Sequence, residues 1–218
     1  MRRTKEDAAK TREEVLAAAA EVFYENGVSG STLDKIARRA GVTRGAIYWH
    51  FKDKAEVLTA LHSEIRLPQE DLVDHALEHG HDDPLSLIEQ ASIEVVHILA
   101  NDEHQQRIFA IMILGCEFTE DPSDAALRII TANAEMYDKL QKLIDMADRQ
   151  GKLAPNWTVD TAARAFQCCM NGLFAEWLRS SKSFPVTDVG ERLVRSVIGS
   201  MRRPVEGQNS ISEHDAAE

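Results

Sequence analysis

The residues best suited to chemistry lie between Thr43 and Lys54, and the chemistry they suit is the reading of a polyanion. Arg44 opens a short helical pattern and carries a fork of N–H donors that matches O6 and N7 of guanine. Gly45 and Ala46 follow it and are small enough for a helix backbone to approach base edges closely. Tyr48, Trp49 and His50 can donate to phosphates, and the two larger rings can cover sugars. Lys54 falls in the first turn of the next helix, where backbone N–H groups and the dipole also favour a phosphate. The competing reading makes Tyr48 and Trp49 core aromatics.

Other reactive side chains do not form a reaction centre. Cys116, Cys168 and Cys169 have neither metal-ligand spacing nor a disulfide framework. Free thiols without an export signal imply a cytoplasmic protein. His79, His81, Asp82 and Asp83 could gather round a metal, but their Gly- and Pro-containing context reads as a polar loop. The sequence holds no nucleophile elbow, P-loop or Gly-rich dinucleotide loop, so neither an enzyme nor a cofactor is expected.

The elements that must position Arg44 are helices, because apolar residues recur at three and four rather than at two. Leu16, Ala19, Ala20 and Phe23 mark one face of a first helix that Gly27 ends. Ser31 is expected to cap a second helix carrying Leu33, Ile36, Ala37 and Ala40, which Gly41 breaks. Thr43 caps a third and short helix to about Trp49, with Val42, Ile47 and Phe51 turned inward. Helix, Gly turn and short second helix, from Thr32 to Trp49, describe a helix-turn-helix.

Beyond it, one helix is expected from Asp53 to about His79, bent at Pro68. Further helices are expected to about Ala100, over Asp102–Phe118, from Asp121-Pro122 to Gly151, over Thr158–Ser180 and over Thr187–Met201. The fold class is therefore all-α, with about nine helices in three regions. Residues 1–54 form the helix-turn-helix domain, 55–204 a larger helical domain, and 205–218 an acidic tail without periodicity, read as disordered.

Charge supports this division. The 218-residue chain has a net charge of −11. Residues 1–54 nevertheless hold 11 Lys/Arg against 8 Asp/Glu, and the remainder 14 against 28. A basic head on an acidic body implies that only the head meets nucleic acid. Chance clustering on a solvated face is the competing explanation. No apolar run approaches the roughly 18 residues of a membrane span, so no membrane partner is expected.

The stretch from Thr32 to Lys54, and above all Thr43-Arg44-Gly45-Ala46-Ile47-Tyr48-Trp49-His50-Phe51-Lys52-Asp53-Lys54, closely resembles the DNA-binding signature of the TetR family. The wording is most similar to its AcrR-type repressors of multidrug efflux pumps, as are the N-terminal Arg-Arg-Thr-Lys-Glu and Cys116-Glu117-Phe118. The resemblance implies base or groove contacts from Arg44, Gly45 and Ala46. It implies phosphate contacts from Thr43, Tyr48, Trp49, His50 and Lys54, with Ser31 and Thr32 helping.

A single helix-turn-helix spans few base pairs, so a homodimer on palindromic double-stranded operator DNA is expected. Thr158–Ser180 carries Phe166, Cys169, Leu173 and Trp177 on one face and Met170, Phe174 and Leu178 on another, so it must be covered on both. The last helix adds Leu193, Val197 and Met201. Family resemblance makes these two helices a four-helix dimer interface; a thick single-subunit core is the alternative. Asp102–Phe118 crowds Ile108, Phe109, Ile111, Met112, Ile113 and Leu114, and Met112, Met136, Met146 and Met170 are adaptable side chains. The resemblance places a ligand pocket between the middle helices, read here as Ile65, Val95, Phe109, Ile113, Gln167, Met170, Asn171 and Phe174. Gln167 and Asn171 would orient a small, neutral, apolar or aromatic inducer. A regulator of another pathway, an activator, or an architectural protein without effector are the competing functions.

Overall fold

The computed structural model describes residues 5–65, 70–114 and 124–204. Their helices are α1 Lys5–Asn26, α2 Leu33–Arg39, α3 Arg44–His50, α4 Lys54–His62, α5 Glu70–His79, α6 Pro84–Asn101, α7 Glu103–Leu114, α8 Asp124–Arg149, α9 Val159–Arg179 and α10 Val186–Met201. The expected nine become ten because the helix from Asp53 stops at His62. There the ladder tightens to i−3 bonds, Glu64 N–H to Leu61 O and Ile65 N–H to His62 O, both 3.0 Å. Pro68, Cys116, the Asp121-Pro122 start and the tail from residue 205 lie outside the described residues. No helix among the described residues is long and apolar enough to cross a membrane.

The predicted α1 stripe is buried, and Val15 and Val22 widen it because α1 is enclosed by α2, α4 and α7. Gly27 and Gly41 sit at φ +70° and +68°, left-handed values that a Cβ disfavours, so each ends its helix where the sequence requires a turn. The head core does not stop at residue 54. Val57, Leu58 and Leu61 of α4 and Ile108, Ile111 and Met112 of α7 complete it.

Two further clusters fill the body. One joins α5, α6, α8, the first half of α9 and α10; the other joins α6, α7, the second half of α9 and the start of α10. Across the first, Asp83 caps α6 and receives Arg202 from the far end of α10 at 3.0 Å. Burial raises the Asp83 carboxyl, but hydrogen bonds from Ser86 and Arg202 outweigh it and hold the group below its usual range. These bonds and the His81–Asp83 contact account for much of the polar 79–84 loop.

At Gly190, α10 presses on α6 and α9: an added Cβ would lie 2.8 Å from Val96 Cγ1 and 3.1 Å from Leu173 Cδ2. Gly190→Val is therefore expected to destabilise the fold by roughly 1–3 kcal/mol through overpacking. Urea unfolding measures it, and an unchanged midpoint would show that α10 can move away freely.

Candidate nucleic-acid interface

The geometry of α3 follows from its caps and its inner face. Thr43 Oγ1 accepts from Ala46 N–H at 3.2 Å and starts the helix. Ile47 and Phe51 are buried in the head core, where α3 packs on α2 and α1. That burial fixes the rotation and turns Arg44, Gly45, Tyr48 and Trp49 outward. Seven residues at 1.5 Å each make a helix about 10 Å long, which fits a major groove about 12 Å wide.

Trp49 is 73% exposed and Tyr48 46%, so neither is a core aromatic. An indole so exposed leaves apolar surface in water at about 25 cal/mol per Å², which a partner's surface would relieve. Its ring meets His50 edge-on at 4.5 Å. At Gly45, a Cβ would meet nothing within 4 Å. The protein's own packing does not require a glycine there. Arg44 stands 73% exposed, with its guanidinium carbon 5.4 Å from the Tyr48 ring centre and Nε 3.3 Å from Asp34 Oδ1.

Other predicted contacts are placed differently. Ser31 is 3% exposed and donates to Gly27 O at 2.6 Å, so it neither caps α2 nor faces a phosphate. The cap is Thr32, one residue later, which accepts from Lys35 N–H at 3.2 Å. Lys54 Nζ donates to Val28 O and Ser29 O at 3.0 and 3.3 Å, and Lys35 Nζ to Gly30 O at 2.9 Å. Two ammonium groups thus brace the α1–α2 loop, and the predicted phosphate donor Lys54 is engaged by the chain's own carbonyls. Arg39 is taken up by Glu21 and Glu25 of α1, and its guanidinium holds the Glu25 carboxyl below the usual range.

The apolar pocket residues separate into groups. Val95, Phe109, Ile113, Met170 and Phe174 converge in one body cluster, with the Phe109 and Phe174 rings 5.5 Å apart. Ile65 instead packs on the head core, as does Met112, because α4 and one face of α7 belong there. Asn171 is exposed, and Gln167 accepts from Arg164 Nη1 at 3.0 Å on the exposed side of α9. Gln167 is half-buried, and Met136 is exposed on α8. Gln106, unnoticed in the sequence, is 6% exposed beside that cluster; it donates to Leu99 O at 2.7 Å and accepts from Lys182.

The predicted dimer residues are largely internal. Phe166, Leu173, Trp177 and Met201 are buried within the single chain, and Leu193 and Val197 pack against the same clusters. Helices α7, α8 and α10 cover the face of α9 that the apolar pattern offered to a partner. Cys169 is half-buried, whereas Cys168, Asn171 and Gly172 are exposed on α9, and Val189, Ser196 and Gly199 on α10.

Comparisons with known proteins agree with this geometry. Residues 15–61 match the family described as "Bacterial regulatory proteins, tetR family", and residues 83–202 match "MAATS-type transcriptional repressor, C-terminal region". The HTH-type transcriptional repressor BepR of Brucella suis is 39% identical over 204 residues, covering 94% of this chain and 98% of BepR. The crystal structure of NalD, the secondary repressor of the MexAB-OprM multidrug efflux pump in Pseudomonas aeruginosa, superposes with a TM-score of 0.78 at 36% identity. It covers 91% of this chain and 99% of NalD. A complex of SmeT, the repressor of the Stenotrophomonas maltophilia pump SmeDEF, with triclosan has a TM-score of 0.79 at 26% identity, covering 89% and 92%.

Proposed function

The chain belongs to the TetR family of bacterial regulatory proteins, and we propose that it is a cytoplasmic homodimeric repressor of a multidrug efflux operon, released from a palindromic operator by a small apolar or aromatic molecule. The single observation that carries DNA reading is α3, whose outward face presents Arg44, Tyr48 and Trp49 around a glycine that the interior does not need. Ala46 lies beside Gly45, small enough for a base edge to come close, and Thr32, Thr43 and His50 flank that face with donors that serve the backbone on either side. The efflux assignment rests on the printed functions of NalD and SmeT, and the small-molecule ligand on the SmeT–triclosan complex.

Dimerisation uses the outer faces of α9 and α10, where the exposed residues Cys168, Gly172 and Gly199 are small enough for close helix packing. The inducer is held by the Val95, Phe109, Ile113, Met170 and Phe174 cluster. Helix α7 transmits its arrival because it faces both ways. Phe109 and Ile113 belong to the body cluster, and Ile108, Ile111 and Met112 to the head core. The start of α7 also holds the turn that follows α4, through His104 Nε2 to Glu64 Oε2 at 2.9 Å and Gln105 Nε2 to Glu64 O at 2.8 Å. A ligand that displaces α7 moves the head, and a duplex that fixes half-site separation binds the displaced dimer less well.

Fluorescence anisotropy at fixed salt, on DNA from upstream of the protein's own gene, tests this reading. Specific affinity of about 10⁻⁸ to 10⁻¹¹ M, weakened by one class of apolar antimicrobial, is the expected result. Equal affinity for operator and random DNA would overturn it; specific binding that no such compound weakens would overturn the efflux assignment.

A further inference from the structure

Arg44 is placed to read a base, yet a long exposed side chain is a poor reader unless something fixes its plane. Holding a free arginine in one rotamer costs side-chain entropy at the moment of docking. Here two neighbours restrain it beforehand. Asp34, in the first turn of α2, puts Oδ1 3.3 Å from Arg44 Nε. Tyr48, one turn along α3, lies under the guanidinium face at 5.4 Å. Neither contact requires the two terminal nitrogens, which supply the parallel N–H pair that matches guanine O6 and N7.

Asp34 Oδ1 adds a second observation. It is buried and has no hydrogen bond among the described residues. Arg44 Nε is within ion-pair range of it but not aligned to donate. A buried carboxylate oxygen without a donor is unfavourable. Turning the guanidinium edge-on to a base would bring Nε–H onto that oxygen, so docking and satisfaction of Asp34 coincide.

We infer that Asp34 is a specificity-determining positioning residue, which orients the Arg44 guanidinium through Nε so that its terminal N–H pair meets a guanine in the major groove. The inference rests on the DNA-reading role proposed above for α3. It gives Asp34 opposite effects on two kinds of DNA. Its charge repels every phosphate backbone and weakens binding to random sequence, while its hold on Arg44 strengthens binding to the operator. A first-turn acid that merely favours the α2 dipole would change stability and leave base discrimination alone.

The test measures anisotropy of the full-length wild type, Asp34→Asn and Asp34→Ala on operator DNA, on random DNA, and on operators substituted one base pair at a time. Thermal melting checks that each variant folds, and Asp34→Asn keeps the size of the side chain. The ratio of operator to random affinity is expected to fall about tenfold or more, with the loss confined to the base pair whose recognition Arg44→Ala also abolishes. Affinity for random DNA is expected to rise. In an Arg44→Ala background, Asp34→Asn should remove no further discrimination. An unchanged ratio in folded variants, loss at a different base pair, or full additivity with Arg44→Ala would overturn the assignment. Failure of the wild type to prefer its operator would overturn the DNA-reading role instead.

Discussion

Replacing Arg44 by alanine is expected to lower operator affinity by one to several orders of magnitude while changing affinity for random DNA by only a few fold. The size follows from dimer symmetry. A bidentate arginine–guanine pair discriminates by about 1–3 kcal/mol, and two half-sites double that to roughly 2–6 kcal/mol. The fold should not suffer, because the Arg44 side chain is 73% exposed and makes no hydrogen bond to Asp34 that the fold would lose. Lysine in the same place should behave almost as badly as alanine, since an ammonium keeps the charge and loses the fork. Affinities measured across a salt series check this. The Arg44→Ala slope on random DNA should fall by no more than about one phosphate per subunit. Equal losses on operator and random DNA would make Arg44 a phosphate contact, and the reading of bases would then pass to other residues of α3.

Lys54→Ala provides the contrast, because its ammonium braces the Val28–Gly30 loop from which α2 starts. Loss of that brace disturbs the presentation of the whole head, so every DNA should bind less well. Base discrimination and backbone affinity therefore come apart in two neighbouring cations, one anchored by an acid and an aromatic ring, the other by backbone carbonyls.

The head was legible because its determinants are local. The Leu16–Phe23 stripe, the glycines at 27 and 41 and the Thr43 cap each act within a turn or two of themselves, and the structure places all of them as the spacing implies. The α2 cap shows how narrow that margin is: Ser31 and Thr32 carry the same chemistry one residue apart, and burial of Ser31 beneath the loop decides between them. The body was less legible because its determinants are distant. Helix α9 is apolar nearly all round, and which half faces inward depends on where α7, α8 and α10 arrive. Asn171 suited a ligand by type, but the rotation of α9 leaves it exposed. Arg202 crosses 119 positions to Asp83, a pairing that no local spacing marks. Asp34 and Arg44, on successive helices, are joined by the turn geometry between them and not by any spacing on one helix.

The same rotation of α9 sets the second large expectation. Gly172 lies mid-helix and is exposed, and an added Cβ there would meet nothing within 4 Å. Glycine in such a position costs a helix about 1 kcal/mol relative to alanine, with no return from packing inside the subunit. Close approach of a second subunit would supply the return. Gly172→Glu is therefore expected to leave the isolated subunit folded and somewhat more helical, and to separate the dimer. Each subunit would have to bury a carboxylate against a neighbouring backbone, at several kcal/mol per copy. Without a dimer only one half-site is engaged, so most of the roughly 10³- to 10⁷-fold preference for operator over random DNA should disappear. Gly172→Ala adds one methyl group per subunit and should weaken the dimer far less. Sedimentation equilibrium reports the mass and circular dichroism the fold, so a misfolded variant is recognised as such. A folded Gly172→Glu protein that still sediments as a dimer and still selects its operator would move the interface away from the outer face of α9. An unfolded one would show that Gly172 serves the interior of the subunit, where no neighbouring atom lies within 4 Å to explain it.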